Sequence, residues 1–342
     1  MDAKVLKLLR KFSKDVKKHI ENFNTIKIFF DSDVDGLMSA IITFNTLKSL
    51  KKKVLFKNLE RDEITKTLKG LKNKKSLYIF LDFSLSEEIL KEVRDKNLKI
   101  IWIDHHKITT FSTKGIIYIN PLLANQKVYI PTSAVCYLIF DRINIKTENL
   151  LFASIGIVAD KGENDCKEII EKAKRIFKID DNKLQEYAKK INSLFVLRKN
   201  ISKYFKKLLN IKYLESEELN KLFKRVENEI EKEIKNFEKK HVKIKKFLVY
   251  KITSKMKIRG TLASILSENF EDSIIVILED SKDKVYISFR AGKKINIDLL
   301  ETLKKIKTDF ISFGGHKKAC GAIISKKNIN KFLKELRKIE IW

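Results

Sequence analysis

Apolar residues in this chain follow two rhythms. Val5, Leu8, Leu9, Phe12, Val16 and Ile20 recur at the spacing of one helix face, opposite a face of lysines, which predicts an amphipathic N-terminal helix over residues 1–24. From residue 25 short apolar runs take over, at 26–30, 54–56, 77–81, 100–103 and 116–119. Helical spacing separates several of them, as in Leu37, Ala40, Ile41, Phe44 and Leu47. Strands alternating with helices predict a mainly parallel sheet covered on both faces. Two apolar helices, near 131–144 and 148–159, close this first α/β domain, which is drawn at 25–165.

Residues 166–244 are rich in Lys and Glu at helical spacing and read as a helical connector, with one long charged helix over 219–240. Strand-like runs return at 247–252, 274–278, 285–289 and 322–324, with helical patterns at 259–269, 297–306 and 328–339. They predict a second, smaller α/β domain with a mixed sheet over 245–342.

Composition narrows the function. Lys and Arg number 73 against 44 Asp and Glu in 342 residues, a formal charge of +29. Such an excess argues against routine handling of a small uncharged substrate. It favours a polyanionic partner, because a cationic surface attracts phosphate and releases counterions. A proteome biased towards Lys and Ile would give the same surplus, so charge alone does not decide. Cys136, Cys166 and Cys320 share no C-x-x-C spacing, which speaks against a disulfide framework or a structural zinc site and fits a reducing cytoplasm. No signal-peptide core opens the chain and no run of about 18 apolar residues occurs, so a cytoplasmic protein outside the membrane is expected.

Chemistry concentrates at the ends of the expected strands. The first runs straight into Asp31-Ser32-Asp33-Val34-Asp35-Gly36. Three carboxylates at alternate positions repel one another unless a cation joins them. A calcium-binding EF-hand loop begins alike, but it follows a helix and needs a bidentate Glu at its twelfth position, where this chain has Ile42. Asp82 follows the strand at 77–81, and Asp104, His105 and His106 follow the strand at 100–103. Asp160 ends the apolar helix at 148–159, where a negative charge opposes the helix dipole. Singly these are a solvated turn, a helix cap and two loop histidines. Together they deliver carboxylates and imidazoles to one sheet edge, where open α/β sheets bind ligands. An oxygen-rich set with one or two imidazoles suits manganese or magnesium better than zinc. Its size suits two divalent cations, a pair able to activate water and clamp the oxygens around phosphorus. A basic protein with such a site is expected to hydrolyse phosphoester bonds.

These motifs, with Leu81-Asp82-Phe83-Ser84 and Val158-Ala159-Asp160, resemble the DHH phosphoesterase family in order and spacing. The D-x-D-x-D-G form is similar to the RecJ nuclease branch; other branches carry His four residues before the middle Asp, where this chain has Phe29. The resemblance implies that Asp31 and Asp33 hold one cation, that Asp35, His105 and Asp160 hold the other, and that Asp82 bridges them. It implies that Asp104 orients His105 and that His106 hydrogen-bonds the scissile phosphate, making His106, Asp104 and Asp82 the catalytic set. Manganese is the first expectation for both cations and magnesium the second. The stretch Phe313-Gly314-Gly315-His316, followed by Ala319 and Gly321, resembles the glycine-rich His signature of the DHH-associated domain, with Phe313 replacing its first glycine. Ser288-Phe289-Arg290 resembles the family's phosphate-gripping arginine. Ser288, Arg290, Gly314, Gly315 and His316 are therefore expected to hold substrate phosphate.

The fold class expected is α/β, two domains joined by a helical connector with the active site in the cleft between them. The expected activity is that of a RecJ-like exonuclease on single-stranded DNA or RNA. An oligoribonuclease or nucleotide phosphatase of the same family shares every metal ligand and is the first alternative; a non-catalytic replication-complex scaffold is the second. Bacterial RecJ proteins carry a further strand-binding domain after this core. The chain resembles the compact archaeal members, which implies a GINS-type replication complex as a candidate partner beside single-stranded nucleic acid.

Overall fold

Five runs of β-branched and aromatic residues form the parallel sheet of the N-terminal part: β1 (Thr25–Asp31), β2 (Lys53–Leu59), β3 (Ser76–Leu81), β4 (Lys99–Ile103) and β5 (Ile116–Ile119), in the order β2-β1-β3-β4-β5. The structure is a computed structural model that describes all residues except 73–74, 95–97, 109–115 and 340–342. Every residue of β3 is buried, as expected for a strand covered on both faces.

Alternation sorts the side chains. Ile26, Ile28, Phe30, Leu77, Ile79, Leu81, Ile101 and Ile103 face a core shared with α1 (Ala3–Glu21), α2 (Val34–Ser49), α5 (Thr132–Phe140) and α6 (Thr147–Ala159). Phe29, Tyr78, Phe80, Ile100 and Trp102 face the opposite side, under α3 (Ile64–Gly70) and α4 (Glu87–Arg94). On that side Phe80 stacks between Phe29 (4.9 Å) and Trp102 (4.6 Å), and the Trp102 indole donates to the Phe83 carbonyl at 2.6 Å. That bond pins the turn just after Asp82.

The helical stretch 166–244 divides between the two compact units of the chain, Met1–Phe195 with Lys199–Phe223, and Val196–Arg198 with Lys224–Trp342. Helices α7 (Lys167–Phe177), α8 (Asp181–Val196) and α9 (Ile201–Leu208) bury Ile169, Ile170, Leu184, Ile191 and Phe205 in the first unit's core. Their lysines form only the outer faces of amphipathic helices. Helix α10 (Glu217–Lys240) starts in the first unit and continues in the second from Lys224.

The second unit has a six-stranded mixed sheet, ordered β10-β11-β9-β8-β7-β6. Its strands are β6 (Val242–Ile244), β7 (Phe247–Lys251), β8 (Ile274–Ser281), β9 (Lys284–Ala291), β10 (Phe310–His316) and β11 (Ala319–Ser325). Only β7 and β8 run parallel. Helices α10 and α11 (Arg259–Asn269) cover one face, and α12 (Leu299–Lys305) and α13 (Ile329–Leu336) the other. Strands β6 and β10 escaped the sequence pattern because both are exposed edges: β6 buries one residue of three, and β10 none fully. Among the described residues no helix is long and apolar enough to cross a membrane.

Candidate metal centre

In the order β2-β1-β3 the chain reverses its direction of winding between β1 and β3, and α/β sheets bind ligands beyond the strand ends at that point. There β1 ends in Asp31, Asp33 caps α2, and Asp35 lies in its first turn. Asp82 follows β3 and Asp104–His106 follow β4, each backbone N–H continuing the ladder: Asp82 donates to Ile103 and Asp104 to Ile119. Asp82 holds a left-handed φ of 69°, a costly conformation for a non-glycine residue that marks the turn as constrained.

Each carboxylate has an anchor. Asp35 accepts from the backbone N–H groups of Thr132 (2.7 Å) and Ser133 (3.0 Å) at the start of α5. Asp82 accepts from the Thr132 hydroxyl at 2.9 Å, and Asp33 from Gly36 N–H at 2.8 Å. Asp31 accepts from Ser32 N–H and from Arg61 Nε at 3.1 Å. His105 Nε2 lies 3.4 Å from both Asp82 Oδ1 and Asp160 Oδ2. Donor atoms of Asp35, His105 and Asp160 fall within 4.8 Å of one another, as do those of Asp82, His105 and His106. All six expected metal ligands thus stand at the β1/β3 edge.

One expected role changes. Asp104 was to orient His105, but its Oδ1 accepts instead from His106, through Nδ1 at 2.6 Å and the backbone N–H at 3.1 Å. An Asp side chain reaches the N–H two residues on, which folds the turn and carries the ring of residue 106, not 105, over the carboxylate.

Electrostatics test what this site can hold. Burial, then the charge of Asp31, pushes Asp33 up to about 7; burial, then Asp160, does the same to Asp35. Asp82 is raised well above the carboxylate range by burial and then by Asp33 and Asp35. His105 is held below the usual imidazole range by burial, against the pull of Asp160, and its buried Nδ1 has no hydrogen-bond partner among the described residues. Carboxylates driven towards protonation beside a neutral imidazole with an orphaned nitrogen form a donor set short of positive charge. A divalent cation fits it.

In the second unit, strand register assembles the expected phosphate-binding residues. Ser288 pairs with Gly321 and Gly321 with Gly314; Arg290 pairs with Ala319 and Ala319 with His316. Two rows therefore share one sheet face, with small residues between Ser288, Arg290 and His316. Gly314 keeps that face open, since nothing lies within 4 Å of where its Cβ would stand. Gly315 serves the backbone instead: its φ is +137° and a Cβ would lie 2.4 Å from the Ala319 carbonyl.

Several residues of both sites were not legible. Arg61 joins Asp31 to His106, its terminal nitrogen 3.3 Å from Nε2. The Tyr129 hydroxyl donates to Asp160 Oδ2 at 2.7 Å, and its ring meets His105 edge-on at 5.2 Å. Gly156 makes room, since a Cβ there would lie 2.3 Å from Ser133 Oγ and 2.8 Å from Asp35 Oδ1. Arg259 donates to Ser288 Oγ at 2.9 Å, and with burial its charge lowers the pKa of Arg290. A glycine inside an apolar helix pattern was the one signal available; the others lie far in sequence from their partners.

Residues 25–157 match the DHH family, N-terminal domain, and residues 244–340 match the DHHA1 domain. Together the matches cover about two-thirds of the sequence, and the chain belongs to the DHH family of phosphoesterases. Similar solved structures include RecJ from Thermus thermophilus in complex with Mn2+, at 18% identity and a TM-score of 0.75, covering 97% of this chain and 54% of that one. Exonuclease RecJ bound to manganese matches at 18% and 0.75, covering 97% and 94%. The DHH domain of a member of the s1p family of ribosomal proteins matches at 18% and 0.77, covering 99% and 93%. At these identities the likeness is one of fold, and the chain spans about half the length of the Thermus RecJ. No curated protein matches the chain by sequence.

Proposed function

We propose that this chain is a metal-dependent phosphodiesterase that degrades single-stranded DNA or RNA from an end, as a RecJ-like exonuclease. The observation that carries the reading is the convergence of Asp35, His105 and Asp160 within 4.8 Å, with Asp82 3.4 Å from His105, at the ligand-binding edge of a parallel sheet. In this reading Asp31 and Asp33 would hold one divalent cation, and Asp35, His105 and Asp160 a second, with Asp82 placed to serve either. Such cations supply an acidified water and neutralise charge building on the phosphate.

The chain's own groups do the rest. Burial disfavours charge on His106, but the hydrogen bond and charge of Asp104 outweigh it, and the pKa of His106 is raised. Asp104 thereby fixes the Nδ1 proton, so that Nε2 accepts from Arg61 while the ring is neutral and, once the ring is protonated, would turn its N–H from Arg61 to a phosphate oxygen. Ser288, Arg290 and His316, with the opening at Gly314, hold a phosphate of the strand. The charge of +29 supports a polymer over a mononucleotide.

The test is degradation of end-labelled single-stranded DNA and RNA beside a dinucleotide and a mononucleotide, with manganese, magnesium or chelator. Faster cleavage of the polymers, abolished by chelator, is expected. Equal or better turnover of the dinucleotide would replace the exonuclease by an oligoribonuclease.

A further inference from the structure

A cavity of about 390 Å³ opens in the second unit between the residues that end α8, the outer face of α10 and the loop after β7. Arg198, Arg225, Lys232 and Lys255 line it against one acid, Glu229. Arg225, Glu229 and Lys232 follow one another at i, i+4 and i+7, a single stripe of α10. Glu229 already faces Lys232 at 3.6 Å, whereas Arg198, Arg225 and Lys255 have no ion-pair partner among the described residues.

Lysine bias does not account for this. A cavity of about 470 Å³ beside α2 sets Lys48 and Lys146 against Glu148. Another, of about 730 Å³ beside α12, balances Lys305, Lys307 and Lys338 with Asp298, Glu301 and Glu335. A general surplus would load all three alike. The first cavity also holds two of the chain's ten arginines, and lysine is what a lysine-biased chain spends on mere charge. Guanidinium forks suit phosphate oxygens.

We infer that this cavity is a second phosphate-binding groove that takes the sugar–phosphate backbone of a single-stranded nucleic acid. It contains no residue of the Ser288–Arg290 face. Its lining includes no aromatic ring on which a base could stack, and its cations are exposed. Those features fit a backbone track and not a nucleotide pocket, which buries its ligand among apolar and aromatic side chains. The inference rests on the exonuclease reading and adds to it the place where a strand longer than two nucleotides is gripped.

The experiment compares the wild type with Arg225→Glu/Lys255→Glu and with a control of equal charge change, Lys48→Glu/Lys146→Glu, all shown folded by circular dichroism. Binding of a labelled single strand of about 25 nucleotides is measured in chelator across a salt series. Losing two phosphate contacts should weaken binding about 25-fold at 0.1 M salt and make the log–log salt slope shallower by about 1.4. The control should lose far less, and hydrolysis of a dinucleotide by the manganese-loaded groove variant should be unchanged. Equal losses in both variants would mean long-range charge alone and would overturn the groove, as would no loss in either. A wild type that binds no strand at all would remove the exonuclease reading and the groove with it; a wild type that binds, beside a groove variant matching its control, would remove the groove only.

Discussion

Replacing Asp160 by Asn should make the metal-free protein more stable while blunting its response to metal. The carboxylate oxygens of Asp35 and Asp160 lie within 4.8 Å of each other. Two full charges at that distance repel by about 3.5 kcal/mol at an effective dielectric constant of about 20. Burial and the charge of Asp160 push Asp35 towards protonation, so near neutral pH only part of this repulsion, on the order of 2 kcal/mol, is realised. Asp160 also caps the C-terminus of α6, where a negative charge costs a further ~0.3–1 kcal/mol. The amide keeps an oxygen to accept from Tyr129, so the bond at 2.7 Å survives. Urea unfolding in chelator at pH 7 should therefore show the variant about 2–3 kcal/mol more stable than the wild type, and more so at pH 8, where more of Asp35 is charged.

Manganese should erase the difference. A ligand at one hundred times its dissociation constant adds about 2.7 kcal/mol to the wild type, and a site that has lost one carboxylate should gain little. The reasoning fails if the variant is less stable than the wild type in chelator by 1 kcal/mol or more, or if manganese stabilises both equally.

Other outcomes follow from the same geometry. Asp82→Ala should lower manganese-dependent hydrolysis more than Asp31→Ala, since Asp82 is expected to touch both cations; full activity in a metal-stripped and reloaded Asp82→Ala protein would end the two-cation reading. Tyr129→Phe deletes the hydroxyl that holds Asp160 and should weaken manganese binding about 10-fold, read by titration calorimetry, with the fold intact. In the helical part of the first unit, hydrogen bonds from Lys207 and Tyr213 hold Glu218 down at about 2. Its stabilisation is complete above its ordinary pKa of 4.5 and is lost as pH falls through about 2. Glu218→Gln should therefore flatten the acid-unfolding curve between those values, and an unchanged slope would show that the contact contributes nothing.

What the sequence disclosed, and what it hid, follows from how far each interaction reaches along the chain. The strands beneath the metal centre were legible because a parallel sheet buried on both faces needs continuous apolar runs, and the aspartates and histidines that end those runs stand out against them. The exposed edges β6 and β10 lack that demand and left no such run. The helices α7 to α9 were visible as helices, but their attachment to the first unit was not, because an amphipathic stripe says that a face is buried and not against what. At the centre itself, residue type fixed the donor set while pairing stayed open. Asp104 is adjacent to His105 yet serves His106, since a side-chain oxygen folds back to the N–H two residues on. Arg61 reaches Asp31 across 30 residues because β1 and β2 are neighbours in the sheet and the turn after β2 opens beside the end of β1. The two glycines of Gly314-Gly315 separate for the same kind of reason. Only the register with β11 reveals that one clears the face carrying Arg290 and that the other relieves a clash with the backbone of Ala319. Local chemistry thus named the participants, and sheet geometry decided which of them meet.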